Sequence, residues 1–141
     1  MHELKIEFTD KLNKKTIQRM CKGFIDYEKA HEIDINYQEF AFVLSDRHKT
    51  AFGVLSAYTS FEEIYVDDIW VDESVRGKGY GKQLLNTLEN HFKGKGYQTI
   101  SLMTFAFQAP EFYKKCGYDV EFLRENKANP KVTKFYFIKY L

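Results

Sequence analysis

VRGKGYGKQLL, residues 75–85, sets glycines at three alternate positions, 77, 79 and 81, and then begins an apolar helix pattern. Arg76 stands before the glycines, Lys78 among them and Lys82 just after. Upstream, EEIYVDDIWVD (62–72) is rich in β-branched and aromatic residues and reads as a strand. A strand that turns through glycines into a helix leaves several backbone N–H groups free, because the first four amides of a helix have no acceptor inside it. Phosphate oxygens are natural acceptors for them. The helix dipole favours an anion there by roughly 0.3–1 kcal/mol, and glycines let a bulky phosphate approach the backbone. With three basic side chains close by, the turn suits a pyrophosphate. A turn of this composition can also do no more than shorten a strand-to-helix connection, so spacing and flanks decide.

Spacing removes two phosphate binders. The loop of P-loop nucleotide-binding proteins needs four residues between its glycines ahead of Gly-Lys-Ser/Thr. Here Gly77 and Gly81 have three between them, and Lys82 is followed by Gln83. The dinucleotide fingerprint needs a third glycine at position 82, which is Lys. A nucleotide-dependent phosphotransferase is therefore disfavoured.

Around the turn the chain reads as one domain over residues 1–141. Its 141 residues are 44% hydrophobic and 17% aromatic with only 2 Pro, the composition of a folded domain. A chain of this size buries roughly two thirds of the surface it exposes unfolded. The 21 Lys and Arg against 20 Asp and Glu give no global attraction to nucleic acid or an anionic membrane. No apolar run approaches the roughly 20 residues of a membrane span. MHELKIEFTD lacks an apolar stretch of signal length, and Cys21 and Cys116 have no CxxC spacing, which together predict reduced thiols in the cytoplasm.

LKIEF (4–8) alternates apolar and charged residues and predicts a first strand. From Asp10 as N-cap, Leu12, Ile17, Met20, Cys21, Phe24 and Tyr27 recur at helical steps, giving a helix over about 11–30. EFAFVLSD and TAFGVLSAY, separated by a polar turn, predict an antiparallel hairpin. After the glycine turn a helix runs from about Gly79 to Lys93 with Leu84, Leu85, Leu88 and Phe92 on one stripe, ended by Gly94 and Gly96. YQTISLMTF (97–105) is a strand, and QAPEFYKKCGY holds a short helix with Pro110 in its first turn and Gly117 past its end. YDVEFLRE and KVTKFYFIKYL close the chain as a second hairpin.

Arg76, two residues, Gly79, one residue, Gly81 resembles the acyl-coenzyme A signature of the GNAT N-acetyltransferases, in which Gln or Arg precedes the same glycine spacing. IYVDDIWVDESVRGKGYG resembles that family's fourth strand entering its phosphate loop, and APEFYKKCGY resembles its closing motif. The resemblance is strongest from about Glu62 to Tyr118 and is nearest to a small single-domain bacterial subgroup. It implies an α/β (α+β) fold: a mixed, mostly antiparallel sheet of six or seven strands, splayed between strands 4 and 5 and flanked by helices.

The same resemblance implies the chemistry. The pantetheine arm of acetyl-CoA is expected along Ile69, Trp70 and Val71, its pyrophosphate on the amides from Arg76 to Lys82 (Arg76, Gly77, Lys78, Gly79, Tyr80, Gly81, Lys82), with Phe112 and Tyr113 beside it. An amine then attacks the acetyl thioester directly. Tyr113 matches the family's tyrosine acid, placed to protonate the leaving sulfur. Glu63, thirteen residues before Arg76, matches a glutamate of the histone-acetylating branch, while Asp67 and Asp68 are further bases, and a water chain would also serve. Period 2 sets Asp67 with Ile69 and Val71 on one face and Asp68 with Val66 and Trp70 on the other. Ala106 stands where many members carry a pantetheine-holding Asn, and Gln108 is expected to take that contact over, as in the subgroup reading Thr104-Phe105 and Phe107-Gln108-Ala109 before Phe112-Tyr113.

Other constellations are plain. His2, His31, His48 and His91 lie far apart, with none near a cysteine, so no metal site is expected and surface or cap roles are. Cys116 has no activating partner nearby in sequence. Trp70 and the phenylalanines of MTFAF read as core and cleft wall, since no basic stripe accompanies them to stack nucleic acid bases. The leading reading is a cytoplasmic N-acetyltransferase for a small amine or an exposed amino group, with a catalytically inactive acyl-CoA sensor as the alternative and a homodimer left open. Glu28, Glu32 and Asp34 suit a cationic acceptor.

Overall fold

A computed structural model describes residues 3–141, which fall into two units, Met1–Ile35 and Asn36–Leu141. His2 lies outside the described residues. In the first unit α1 (Lys14–Ala30) starts three residues later than its apolar pattern predicts. Asn13, not Asp10, caps it: its Oδ1 accepts from the Thr16 amide at 2.8 Å. Thr9 and Lys11 are tied to each other in a local turn, which keeps 10–12 out of the helix. Lys22 and Asp26 pair one turn apart at 2.6 Å, and His31, the C-cap, sets Nδ1 2.8 Å from the Tyr27 carbonyl. The strand expected over 4–8 does not form. Alternation makes a strand only where a neighbour takes its ladder hydrogen bonds, and the first unit has no second strand among its described residues.

The second unit contains β1 (Gln38–Ser45), β2 (Ala51–Ser60), β3 (Glu63–Val71), α2 (Tyr80–Phe92), β4 (Thr99–Phe105), α3 (Pro110–Lys115), β5 (Asp119–Arg124) and β6 (Lys134–Tyr140). Single-turn 3-10 helices occupy Glu73–Val75 and Pro130–Val132. The sheet order is β1-β2-β3-β4-β6-β5, with every pair antiparallel except β3 with β4. This is the mixed, mostly antiparallel sheet expected, with six strands. The β1–β2 turn is closed by Asp46, whose Oδ1 accepts from the His48 and Thr50 amides at 2.9 and 3.0 Å.

One sheet face carries the core. Leu55, Ala57, Ile64, Val66, Ile100, Leu102 and Phe137 are buried on it against Leu84, Leu85, Leu88 and Phe92 of α2. The stripe read from the sequence is thus the buried side of α2, each side chain contributing roughly 1.5–3 kcal/mol by leaving water.

Two irregularities mark β3. Its register with β2 slips: Ala57 pairs with Val66 and Ser56 with Asp68, so Asp67 is the extra residue of a bulge. Strict alternation therefore fails, and the face assignment is corrected. Val66 lies with Ile69 and Val71 on the core side, while Asp68 and Trp70, opposite Ser56 and Val54, share the other face with Tyr65 and Tyr58. The second irregularity is that β3 and β4 pair only through Glu63–Thr99, Ile64–Ile100 and Tyr65–Ser101. Beyond Tyr65 the strands part.

Candidate active site

The parting of β3 and β4 opens a cleft of about 940 Å³. One wall is β3 from Asp67 to Val71, the other is Met103 and Thr104 of β4 with Phe107, Gln108 and Ala109. The loop Val75–Gly77 and the start of α2 form one end, and Phe112 and Tyr113 of α3 the floor. On the β4 side the backbone of residues 66–71 has no strand partner, which leaves room for an extended ligand to lie as a strand would.

The glycine loop takes the conformation its composition requires. Gly77 and Gly79 have φ of +76° and +85°, where a side chain is strained, and a Cβ on either would project into open space. Gly81 serves differently: a Cβ there would meet Phe112 Cζ at 3.0 Å, so its absence lets α2 approach α3. Val75 and Arg76 donate their amides back to Asp72 and Glu73, and bonding resumes where Gln83 donates to the Gly79 carbonyl at 3.0 Å. Among the described residues, the six amides from Gly77 to Lys82 have no acceptor. The free run is thus one residue shorter than expected, because the Arg76 amide is used. The Arg76 side chain is also engaged, with Nε donating to the Val71 carbonyl at 2.9 Å, which ties the loop to the end of β3. Free amides, positive φ and the basic Lys78 and Lys82 fit a pyrophosphate group.

Tyr113 is held rigidly. The Tyr118 amide donates to the Tyr113 carbonyl at 3.0 Å and Gly117 to Lys114 at 3.1 Å, the bonding pattern of a Schellman cap. Its ring packs against Phe137, Tyr118 and Phe112 with centroids 5.7, 6.3 and 5.1 Å away. Only 6% of the residue is exposed, and burial pushes its phenol up to about 12. The phenol therefore keeps its proton through the physiological range.

The candidate carboxylates separate. Asp67 and Asp68 line the cleft, whereas Glu63 sits at the opposite end of β3, across from Ser60 and outside the lining. Burial first, then Asp68 and Glu39, raise the Asp67 carboxyl above its ordinary value. Asp68 Oδ2 accepts from Ser56 Oγ at 3.5 Å. Gln108 borders the cleft, but its side-chain oxygen accepts from the Phe105 amide at 2.9 Å and Thr104 Oγ1 at 3.2 Å, holding the β4–α3 corner. Ile69 and Val71 turn toward the core, while Trp70, 43% exposed, is cleft wall and not core. Met103 and Thr104 complete the wall and were not singled out from sequence. Their alternation along YQTISLMTF was legible, but which side of β4 faces an opening depends on where the strands part.

Cys21 and Cys116 are unpaired. None of the helices among the described residues is long and apolar enough to cross a membrane.

A sequence profile described as the acetyltransferase (GNAT) family matches residues 7–118. Blasticidin-S acetyltransferase from Streptomyces morookaense is 34% identical over 67 residues, which are 47% of this chain and 49% of that protein, so the match spans about half of that relative's length. The crystal structure of an acetyltransferase from Bacillus cereus ATCC 14579 superposes with a TM-score of 0.77 at 31% identity over 96% of this chain and 98% of that one. An Agrobacterium tumefaciens structure shares the fold at a TM-score of 0.85 and 16% identity, covering 98% of this chain and 100% of its own.

Proposed function

The chain belongs to the acetyltransferase (GNAT) family, and from that premise we propose that it is a cytoplasmic acetyl-CoA-dependent N-acetyltransferase acting on a primary amine. The observation that carries this reading is the run of unpartnered amides from Gly77 to Lys82 at the end of a cleft whose floor is Tyr113. When bound, acetyl-CoA supplies an acyl carbonyl activated as a thioester. The amides, Lys78 and Lys82 hold its pyrophosphate, while the unpaired edge of β3 beside Ile69, Trp70 and Val71 lines up its amide-bearing arm. The Arg76 clasp on Val71 fixes the angle between those two contacts. Gln108 and Phe112 shape the opposite wall.

An acceptor arrives largely as its ammonium and must lose a proton to attack. Asp67, on the bulge and facing the cleft, takes that proton directly or through water, with Asp68 beside it. Glu63 stands too far along β3 to be the first choice. The nitrogen bonds to the acyl carbon and sheds its second proton to solvent; as the carbon–sulfur bond breaks, Tyr113 delivers its phenolic proton to sulfur, and solvent reprotonates it. Burial, which raises the phenol to about 12, keeps it loaded with its proton while making it a weaker acid, so its contribution rests on its position at the floor of the cleft.

The test is calorimetric titration with acetyl-CoA together with release of free thiol over a panel of amines. Binding with amine-dependent thiol release supports the reading; tight binding without turnover on any amine favours an acyl-CoA sensor, and no binding at millimolar ligand overturns both. The pH profile gives a second check. A base works deprotonated, so kcat/KM falls as pH drops through the Asp67 pKa, and that acid limb is displaced upward from where an ordinary Asp would put it because the carboxyl is raised. Asp67→Asn lowers kcat/KM about tenfold or more and removes the limb. A limb that survives the substitution would assign the base elsewhere.

A further inference from the structure

On the sheet face away from α2, three tyrosines form a row that runs up to the lip of the cleft. Cross-strand pairing sets Glu39 opposite Tyr58 and Tyr58 opposite Tyr65, so Glu39, Tyr58 and Tyr65 share that face. Tyr65 in turn pairs with Ser101 at the last rung before β3 and β4 part. Ring centroids are 5.4 Å apart between Tyr37 and Tyr58 and 5.5 Å between Tyr58 and Tyr65, tilted by 43° and 38°. Glu39 is fixed at the far end of the row, since the Tyr37 hydroxyl donates to its Oε1 at 2.7 Å. Two residues beyond Tyr65 comes Asp67, already inside the cleft. Tyr58 and Tyr65 are half-buried, and among the described residues no Lys or Arg forms an ion pair with Glu39 or Asp67.

Aromatic faces next to an uncompensated carboxylate attract a cation, and desolvation strengthens the attraction. We infer that the strip formed by Glu39, Tyr58 and Tyr65 holds a second positive charge of the acceptor while its reacting nitrogen lies by Asp67, so that the acceptor is a di- or polycationic amine. This rests on the acetyltransferase reading and deepens it, because it assigns the acceptor class to residues that touch neither the thioester nor the proton transfers. Repulsion between the strip's carboxylates points the same way: after burial and Asp68, Glu39 contributes to raising the Asp67 carboxyl. A bound cation relieves that repulsion. The acidic residues Glu28, Glu32 and Asp34, considered from sequence for the same purpose, belong to the first unit and are not needed for it.

The test compares α,ω-diaminoalkanes of increasing length with monoamines of the same length, by steady-state kinetics at saturating acetyl-CoA. The wild-type protein favours diamines of the matching length by about tenfold in kcat/KM, expressed in KM. Glu39→Gln and Tyr58→Leu each reduce that preference several-fold, whereas Tyr58→Phe, which keeps the aromatic face, retains it. Thermal unfolding midpoints and coenzyme A affinity report whether each variant is intact. Equal kcat/KM for diamines and monoamines, or a preference undiminished in Glu39→Gln and Tyr58→Leu, overturns this inference alone. Failure to bind coenzyme A, or to acetylate any amine, overturns the transferase reading and this inference with it.

Discussion

Tyr113→Phe lowers kcat by about a hundredfold or more, the range for losing a positioned general acid. Phenylalanine preserves the ring that packs on Phe137, Tyr118 and Phe112, and the cap formed by Gly117 and Tyr118 does not involve the hydroxyl. Only the proton donor is removed. Coenzyme affinity, which loses at most one hydrogen bond, changes by no more than about tenfold. The two effects separate in measurement, since thiol release gives kcat and calorimetry gives the dissociation constant. A kcat within about threefold of wild type would mean that solvent protonates the sulfur and that Tyr113 is a packing residue. No alkaline loss of activity below about pH 11 is attributable to this phenol, because burial holds its pKa at about 12.

The double substitution Gly77→Ala with Gly79→Ala weakens coenzyme A binding about thirtyfold or more. Both residues sit at positive φ, where a Cβ costs roughly 1–2 kcal/mol per residue. The chain either bears that strain or abandons the loop conformation, and abandoning it turns the free amides away from a common point. Neither glycine has a neighbour that an added methyl would strike, so the core under α2 keeps its packing and the unfolding midpoint moves little compared with affinity. An affinity within about threefold of wild type would show that these amides do not grip the ligand.

The loop itself was the most legible part of the chain, because alternate glycines, basic residues and an apolar stripe are all local signals, and each has its own physical cause. The Pro110–Gly117 bracket placed Tyr113 on a short helix for the same reason. What sequence could not supply depends on partners remote in the chain. The bulge at Asp67 arises from pairing with β2, and alternation read along β3 alone put Val66 and Asp68 on one face when they lie on opposite ones. LKIEF has the pattern of a strand but, among the described residues, no neighbouring strand within its unit to complete it. Arg76 and Gln108 were read as ligand contacts from their place in the motif, yet each spends hydrogen-bonding capacity on backbone, Arg76 on Val71 and Gln108 on Phe105. Those bonds follow from corners that only the folded chain creates. The tyrosine row was equally hidden, since Tyr37, Tyr58 and Tyr65 come from three segments that only the register brings side by side.

Three residue pairs are all that join the two halves of the sheet between β3 and β4. If the proposed thioester arm is seated in that gap, it takes the place of a missing ladder, and resistance to unfolding becomes tied to ligand binding. At about a hundredfold excess over its dissociation constant, such a ligand adds about 2.7 kcal/mol to the folded state. On the acetyl-CoA reading, the seam thus makes the unfolding midpoint climb with coenzyme concentration, so that stability as well as turnover answers to the ligand.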